Sequence, residues 1–406
     1  MHIAVIGSGG REHALAVKSL HSHLVSDVHV IPGNTGMLMT PSLRLFHDWD
    51  GTFQTLEQYL IQQSIELIIV GNESYLAQGI ADYFKDSAIQ VFGPSQRAAQ
   101  LETSKAYAKQ FMDKYRIPTA GYVACSQIDK AIQELKARSG PVVIKQDGLA
   151  LGKGVLVTAD YAKAEAFLKE SFIGNDTVIF EDFLEGKEFS LLAFVDRDYY
   201  NLMMPARDYK RAGDHDTGLN TGGMGAYTPV EYISDSDMDT VEREIVLPTI
   251  TGLLQEGFDF TGILYFGLMK TSDGIKVIEY NTRFGDPEAE VLLEAMDSDL
   301  IEAIQATFAH RDYLLTWKKG TTLGVCLAAE GYPQSYQKGH AITIPEGVTC
   351  YSMAMKKEDN RYISNGGRVV FTVVSAENLA AAKRACYADI RKIKCDGLFY
   401  RSDIGS

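Results

Sequence analysis

The chain has 406 residues, too many for one compact core, so two to four domains of about 150 residues are expected. With 46% hydrophobic and 23% charged residues it belongs to neither a disordered nor a fibrous class. The 39 basic and 53 acidic side chains leave a net charge of -14, which opposes tracking along a nucleic acid and confines any phosphate site to a local patch.

The first hundred residues alternate short apolar runs with helical stretches, the pattern of parallel βα units. Strands are predicted at His2–Ile6, Val28–Ile31, Leu67–Val70 and Val91–Gly93, with a helix from about Glu12. Ligands of open α/β sheets gather at the carboxyl ends of strands, which sets Gly7–Arg11, Pro32–Asn34 and Gly71–Glu73 along one crevice. A helix is predicted from Ser95 through Lys105 to about Tyr115. Beyond Ile117-Pro118-Thr119 lies a unit of lid-like size, with strands Val142–Lys145, Val155–Thr158 and Thr177–Phe180, a glycine-rich loop Gly148–Gly154 and a helix around Tyr161–Phe172.

The next stretch reads as a strand Phe189–Val195, a long loop Arg207–Pro229 and a helix at about Asp237–Glu256. A hairpin Leu264–Tyr280, turning at Ser272-Asp273-Gly274, and a helix through about Phe308 follow. After a polar link at Trp317–Gly320 come strands Thr322–Ala328 and Val369–Val374 and a helix at about Asn378–Ile393, with Asn365-Gly366-Gly367-Arg368 read as a simple turn. The expected organisation is an α/β multidomain protein. An N-terminal open parallel α/β sheet occupies 1–101; a middle region, 102–316, divides into a lid (about 118–187) and a body (about 188–316); a small C-terminal β-rich α/β domain covers 321–406. No apolar run reaches the roughly 18 residues that span a membrane. Five scattered cysteines without a C-x-x-C pair read as reduced thiols. The expectation is a cytoplasmic protein with no nucleic-acid or membrane partner, a monomer or a weak homo-oligomer.

Gly7-Ser8-Gly9-Gly10-Arg11-Glu12-His13 follows a strand and opens a helix, yet Glu12 stands where a dinucleotide fingerprint needs its third glycine. The second strand also lacks the acidic residue that an NAD ribose requires. Such a turn still suits a single phosphate, through backbone amides and Arg11; a tight packing turn is the other reading. Lys145 closes a strand ahead of a loop that holds Lys153, so amides and two ammonium groups face one place, as a triphosphate requires. Glu181–Glu188 reads as a hinge whose backbone pairs with an adenine edge, with a carboxylate beyond it for ribose hydroxyls.

The strongest local pattern is Val277–Glu288. Strand alternation sets Glu279, Asn281 and Arg283 on one face and Ile278 and Tyr280 on the other. A carboxylate and an amide oxygen with no histidine or cysteine near them make a hard oxygen site suited to Mg²⁺. The Arg207–Tyr227 segment is dense in charge and glycine; its carboxylates suit a substrate ammonium and its amides a substrate carboxylate.

Taken together, these motifs resemble the ATP-grasp superfamily and, within it, the phosphoribosylamine-glycine ligase family over nearly the whole chain. The family's patterns stand here at Gly7–Leu15, Pro32–Asn34, Phe92–Ser95, Ser104-Lys105, the Lys145 loop, Asn220–Tyr227 and Arg283–Glu288. Gly71-Asn72-Glu73 departs from the usual G-P-E, and Arg207 and Tyr209 from the usual charged loop. The resemblance implies ATP sandwiched between lid and body: Lys105 and Lys145 on the phosphates, and Gly148, Gly152, Lys153 and Gly154 in the loop closing over them. Glu181, Asp182, Phe183 and Leu184 would border adenine, and Glu188 would bind ribose. Glu279 and Asn281 would hold Mg²⁺ or Mn²⁺. Arg283 and Lys145 would be catalytic, supporting formation of glycyl phosphate from glycine and ATP; the amine of 5-phosphoribosylamine would then attack it.

Gly9, Gly10, Arg11, Glu12, Gly71 and Glu73 would receive the acceptor's phosphate. Asp208, Lys210, Asp214, Asn220, Gly222, Gly223, Met224 and Asp286 would complete the substrate contacts, together with Arg283. The competing readings are another ATP-grasp carboxylate-amine ligase with a different acceptor, a nicotinamide oxidoreductase, and a nucleotide-sensing module without catalysis.

Overall fold

The structure, a computed structural model, describes residues 1–149, 154–174, 177–359 and 361–406. Apolar runs without alternation need cover on both faces, and the N-terminal sheet is made of them. Its five parallel strands lie in the order Leu43–Leu45, Asp27–Pro32, His2–Gly7, Ile65–Val70, Gln90–Phe92. The Gly10–Leu20 helix packs on this sheet. His13, on that helix, accepts from the Ser352 amide at 2.8 Å through Nδ1 and meets Thr40 Oγ1 at 3.0 Å through Nε2, tying the N-terminal helix to the C-terminal sheet. Burial holds the His13 imidazole neutral, with its pKa lowered to about 3.

Several elements of this region escape the sequence pattern, among them the Leu43–Leu45 strand, too short to display a period, the Phe53–Gln62 helix, capped by Thr52, and the one-turn helices Glu73–Ala77 and Ile80–Phe84. The helix expected from Ser95 to Tyr115 is instead two, Gln100–Thr103 and Lys105–Lys114. Ser104 between them is extended (φ -134°, ψ 109°), and its Oγ accepts from the Tyr107 amide at 3.1 Å. This serine restarts the helix as an N-cap, which fixes Lys105 as a first-turn residue.

The lid sheet runs Tyr122–Cys125, Val178–Glu181, Val142–Gln146, Val155–Thr158, all antiparallel, over a small core that includes Ile144, Leu168 and Phe180. The body sheet runs Tyr199–Leu202, Gly186–Asp196, Thr261–Thr271, Gly274–Asn281. Its last ladder contains a bulge: Glu279 faces Gly267 and Val277 faces Leu268, leaving Ile278 as the extra residue. Strict alternation therefore fails there. Val277 and Tyr280 enter the core as buried residues, while Ile278 joins Glu279 on the cleft side instead of pointing away from it.

The Arg207–Pro229 segment is not a loop. It contains the strands Arg207–Asp208, Arg211–Gly213, Thr217–Asn220 and Gly225–Thr228, each too short and too rich in glycine and charge to show a period of two. The first and last of these join a sheet with Thr321–Ala329, Arg368–Ala376 and Cys350–Ser352. The helix expected to run through Phe308 is two, Glu288–Ala295 and Leu300–Phe308, the second capped by Asp299. Among the described residues no helix is long and apolar enough to cross a membrane.

Candidate active site

The lid, the body and the C-terminal sheet meet around a cleft of about 470 Å³. On its lid side Lys145, the penultimate residue of the Val142–Gln146 strand, is buried, its Nζ donating to Ile278 O at 3.0 Å and lying 2.9 Å from Glu181 Oε1 in a contact whose angle makes no hydrogen bond. Lys105 donates to Gly148 O at 2.8 Å. One turn further along the same helix, Lys109 is buried, 3.2 Å from Glu181 Oε2, and donates to Thr119 Oγ1 at 2.8 Å. Burial lowers the Lys105 and Lys109 pKa values, the latter to about 8 although Glu181 pulls it upward. The sequence reading missed Lys109, yet its i, i+4 spacing from Lys105 was a usable signal.

Glu181 thus turns its carboxylate to two lysines, and its carbonyl accepts from Arg138 Nη1 at 3.1 Å. Asp182, Phe183 and Leu184 line the cleft as the hinge reading expects, and Gly148 and Gly154 line its lid edge. Gly152 and Lys153 lie outside the described residues. Glu188, exposed, pairs with Lys210 at 3.0 Å.

Opposite the lysines, Glu279 and Asn281 face the cleft. Burial opposes ionisation of Glu279, but Lys210, Lys145, Lys105 and Arg283 outweigh it and hold its carboxyl below the usual range. An ionised carboxylate and an amide oxygen, with no histidine or cysteine lining the cleft among the described residues, form a donor set that fits a hard divalent cation.

Arg283 shares this face and donates to Asn281 Oδ1 at 3.2 Å. Its guanidinium also lies 2.7 Å from Glu102 Oε1 and 3.3 Å from Glu73 Oε2. Burial raises Glu102, whereas at Glu73 Arg283 and Arg11 overcome burial and bring the pKa down to about 2. Glu102, unremarked in the sequence, accepts from the Thr282 amide at 2.8 Å and so fixes the strand end that carries Arg283.

The Gly9–Arg11 turn differs from its expected open form. The Gly9 amide donates to Glu12 Oε2 at 2.6 Å, and Arg11 is held by Glu12 at 2.7 Å and by Phe284 O at 3.0 Å. The buried Glu12 side chain fills the space beside Gly7 and Gly71, and Gly10 faces Glu290 and Met353. A carboxylate from the helix itself caps the Gly9 amide and holds the Arg11 guanidinium, so these two donors already have a partner within the turn. Arg11 and Glu73 do reach the cleft; Gly9, Gly10, Glu12 and Gly71 do not line it.

From the charged segment, Asp208, Lys210, Asn220 and Gly222 line the cleft. Gly223 packs on Pro287 and Met224 lies in the core. Asp214 is removed from the site altogether: it accepts from the Ser402 amide at 2.7 Å, and the adjoining Asp216 pairs with the buried Arg401 at 2.9 Å. Its role is to fasten the C-terminal tail. The Asn365–Arg368 turn, in contrast, delivers a cleft residue: Arg368 donates to Gly222 O at 2.8 Å and lies 2.7 Å from Asp286 Oδ1.

Models of the phosphoribosylglycinamide synthetase N domain, ATP-grasp (A) domain and C domain match residues 1–102, 103–289 and 322–406. The chain belongs to this family. Among phosphoribosylglycinamide synthetase relatives, it is 44% identical to the phosphoribosylamine–glycine ligase of Halalkalibacterium halodurans, over 100% of this chain and 97% of that one. It is 43% identical to that of Lactococcus lactis, over 100% and 99%. The crystal structure of the Thermotoga maritima phosphoribosylamine–glycine ligase superposes with a TM-score of 0.86 at 34% identity, covering 100% of both chains. For a phosphoribosylglycinamide synthetase, Arg368 and Tyr332 are then C-domain residues that reach the cleft lined by the ATP-grasp domain.

Proposed function

We propose that this chain ligates glycine to 5-phosphoribosylamine at the expense of ATP, yielding glycinamide ribonucleotide, ADP and phosphate in purine biosynthesis. The observation that carries this reading is one cleft in which the half-buried Lys105 and the buried Lys109 and Lys145 oppose Glu279, Asn281 and Arg283. ATP lies between lid and body, its phosphates toward Lys105 and Lys145 and its adenine against Asp182–Leu184. Glu188 and Lys210 stand at the ribose side. Glu279 and Asn281 would hold Mg²⁺ or Mn²⁺, which would supply positive charge to the transferring phosphate.

An oxygen of glycine's carboxylate attacks the γ-phosphorus and ADP leaves, giving glycyl phosphate. The acceptor's amine then attacks the acyl carbon, phosphate departs with the bonding electron pair, and the amine proton is lost. Positioning and charge carry such a transfer, and Arg283 with Lys145 supplies the charge. Closure of the lid, about residues 118–187, excludes water that would hydrolyse the mixed anhydride. Arg368, beside Asp286 and Gly222, stands on the acceptor side of the cleft. We read the enzyme as a cytoplasmic monomer or weak homo-oligomer. ADP release with ATP, Mg²⁺, glycine and freshly generated 5-phosphoribosylamine, omitting each in turn, tests the assignment. ADP formation that persists without glycine, or a steady-state rate of ADP formation that the acceptor does not raise, overturns it.

A further inference from the structure

Beside the Glu279–Asn281 pair lies a second acidic group that phosphate transfer leaves unused. Asp208 comes from the short strand paired with Gly225–Thr228, and its Oδ1 is shielded from solvent with no hydrogen-bond partner among the described residues. Glu288, the first residue of the Glu288–Ala295 helix and buried, accepts from Ser190 Oγ at 2.8 Å and from Tyr265 OH at 2.9 Å on one oxygen. A void of about 10 Å³, room for one water-sized group, is lined by Glu188, Ser190, Asp208 and Lys210 among others. Tyr265 pairs directly with Asn281 in the body ladder, so this acidic group neighbours the proposed metal pair.

The geometry points to Asp208 and Glu288 as the subsite that binds the ammonium of the amino-acid substrate, with Ser190 and Tyr265 orienting Glu288. This inference rests on the reaction proposed above and names the part of the cleft that recognises its donor. An α-amino acid's nitrogen lies only about 2.5 Å from its carboxyl carbon, so a site that presents the carboxylate to the γ-phosphoryl group must hold the ammonium next to the metal pair. A buried carboxylate beside a half-buried one whose shielded oxygen has no partner calls for a cation. Lys210 and Arg368 supply nearby charge, yet burial together with Glu288 and Glu188 holds the Asp208 carboxyl well above the usual carboxylate range. An arriving ammonium replaces the proton kept there. The Ser190 and Tyr265 hydroxyls fix one Glu288 oxygen, so its position is set before substrate arrives.

Trapping the acyl phosphate with hydroxylamine tests this without the acceptor. Glycine is compared with glycolate, in which a hydroxyl replaces the ammonium, using wild type, Asp208→Asn and Glu288→Gln. Each variant should raise the KM for glycine at least about thirtyfold, leave that for ATP within about twofold, and leave hydroxamate from glycolate unchanged or increased. Equal losses with glycine and glycolate, or an unchanged glycine KM, overturn the subsite. Should either variant fail to fold, wild type alone decides: glycolate used within about tenfold of glycine overturns it, because a site built around an ammonium rejects the analogue lacking one. No glycine-dependent hydroxamate from wild type overturns the proposed reaction itself and the subsite with it.

Discussion

Replacing Lys109 with methionine separates what the cleft costs in stability from what it does for ATP. Lys109 is 2% exposed and its pKa falls from 10.5 to about 8 on burial. At about 1.4 kcal/mol per pH unit this places roughly 3 kcal/mol of unfavourable free energy on its charged form. A lysine whose pKa is lowered by folding resists protonation in the native state. The cost is therefore complete below about pH 8 and fades as pH rises toward 10.5. Methionine fills a similar volume without charge but takes a partner from Glu181 Oε2 and Thr119 Oγ1, a loss of about 1–2 kcal/mol. The net expectation at about pH 7 is a variant stabilised by about 1–2 kcal/mol, seen as a thermal midpoint higher by on the order of 1–3 °C. At about pH 9.5 the advantage should shrink or reverse. The same variant should need about tenfold more ATP for half-maximal rate, because Glu181 then answers to Lys145 alone. A midpoint lowered equally at both pH values refutes the reasoning, since it would mean that Lys109 pays its way as a charge.

Three further outcomes follow from the same geometry. Glu279→Gln should lower kcat/KM at least about a thousandfold and weaken Mg²⁺-dependent nucleotide binding, with an unchanged circular dichroism spectrum; near-normal turnover would remove the metal assignment. Arg368→Gln should raise the KM for 5-phosphoribosylamine about tenfold or more while glycine-dependent hydroxamate formation stays normal, and an equal fall in both would make Arg368 a structural residue only. Arg401→Ala should destabilise by about 3 kcal/mol, by leaving Asp216 and Asp403 without their buried partner, and expose the C-terminal tail to limited proteolysis; a proteolysis pattern like that of wild type would show that the tail is held elsewhere.

Much of the scaffold was legible because long apolar runs and glycine stops are local signals. The parallel strands of the first sheet and the 261–281 hairpin are of this kind. What stayed hidden depends on partners distant in sequence. Ser104 looks like an interior helix residue until its cap bond to Tyr107 is seen. The bulge at Ile278 is a property of the ladder with Gly267 and Leu268, not of the strand alone. Asp214 and Asp208 sit in the same charged stretch with similar neighbours, and only the position of Ser402 sends one to the C-terminal tail while the other faces the cleft. Arg368 follows two glycines and reads as a turn, yet the sheet it opens carries it to Asp286, 82 residues away.

Most of the cations around the cleft lie against a carboxylate in the structure. Lys145 lies against Glu181, Arg283 against Glu102 and Glu73, Lys210 against Glu188, and Arg368 against Asp286. This arrangement answers a physical demand: several like charges gathered in one cleft would repel and resist burial without counter-charges. It also sets how substrates enter. A nucleotide triphosphate competes with carboxylates already in place, so its binding is an exchange of partners and its net gain is less than the count of lysines suggests. The contrast lies at Asp208, whose Oδ1 has no partner among the described residues although Lys210 is close. Glu181 and Asp286 each have a cation close by, at 2.9 and 2.7 Å, whereas Asp208 forms no ion pair among the described residues and so marks a place at which the ligand, rather than the protein, supplies the positive charge.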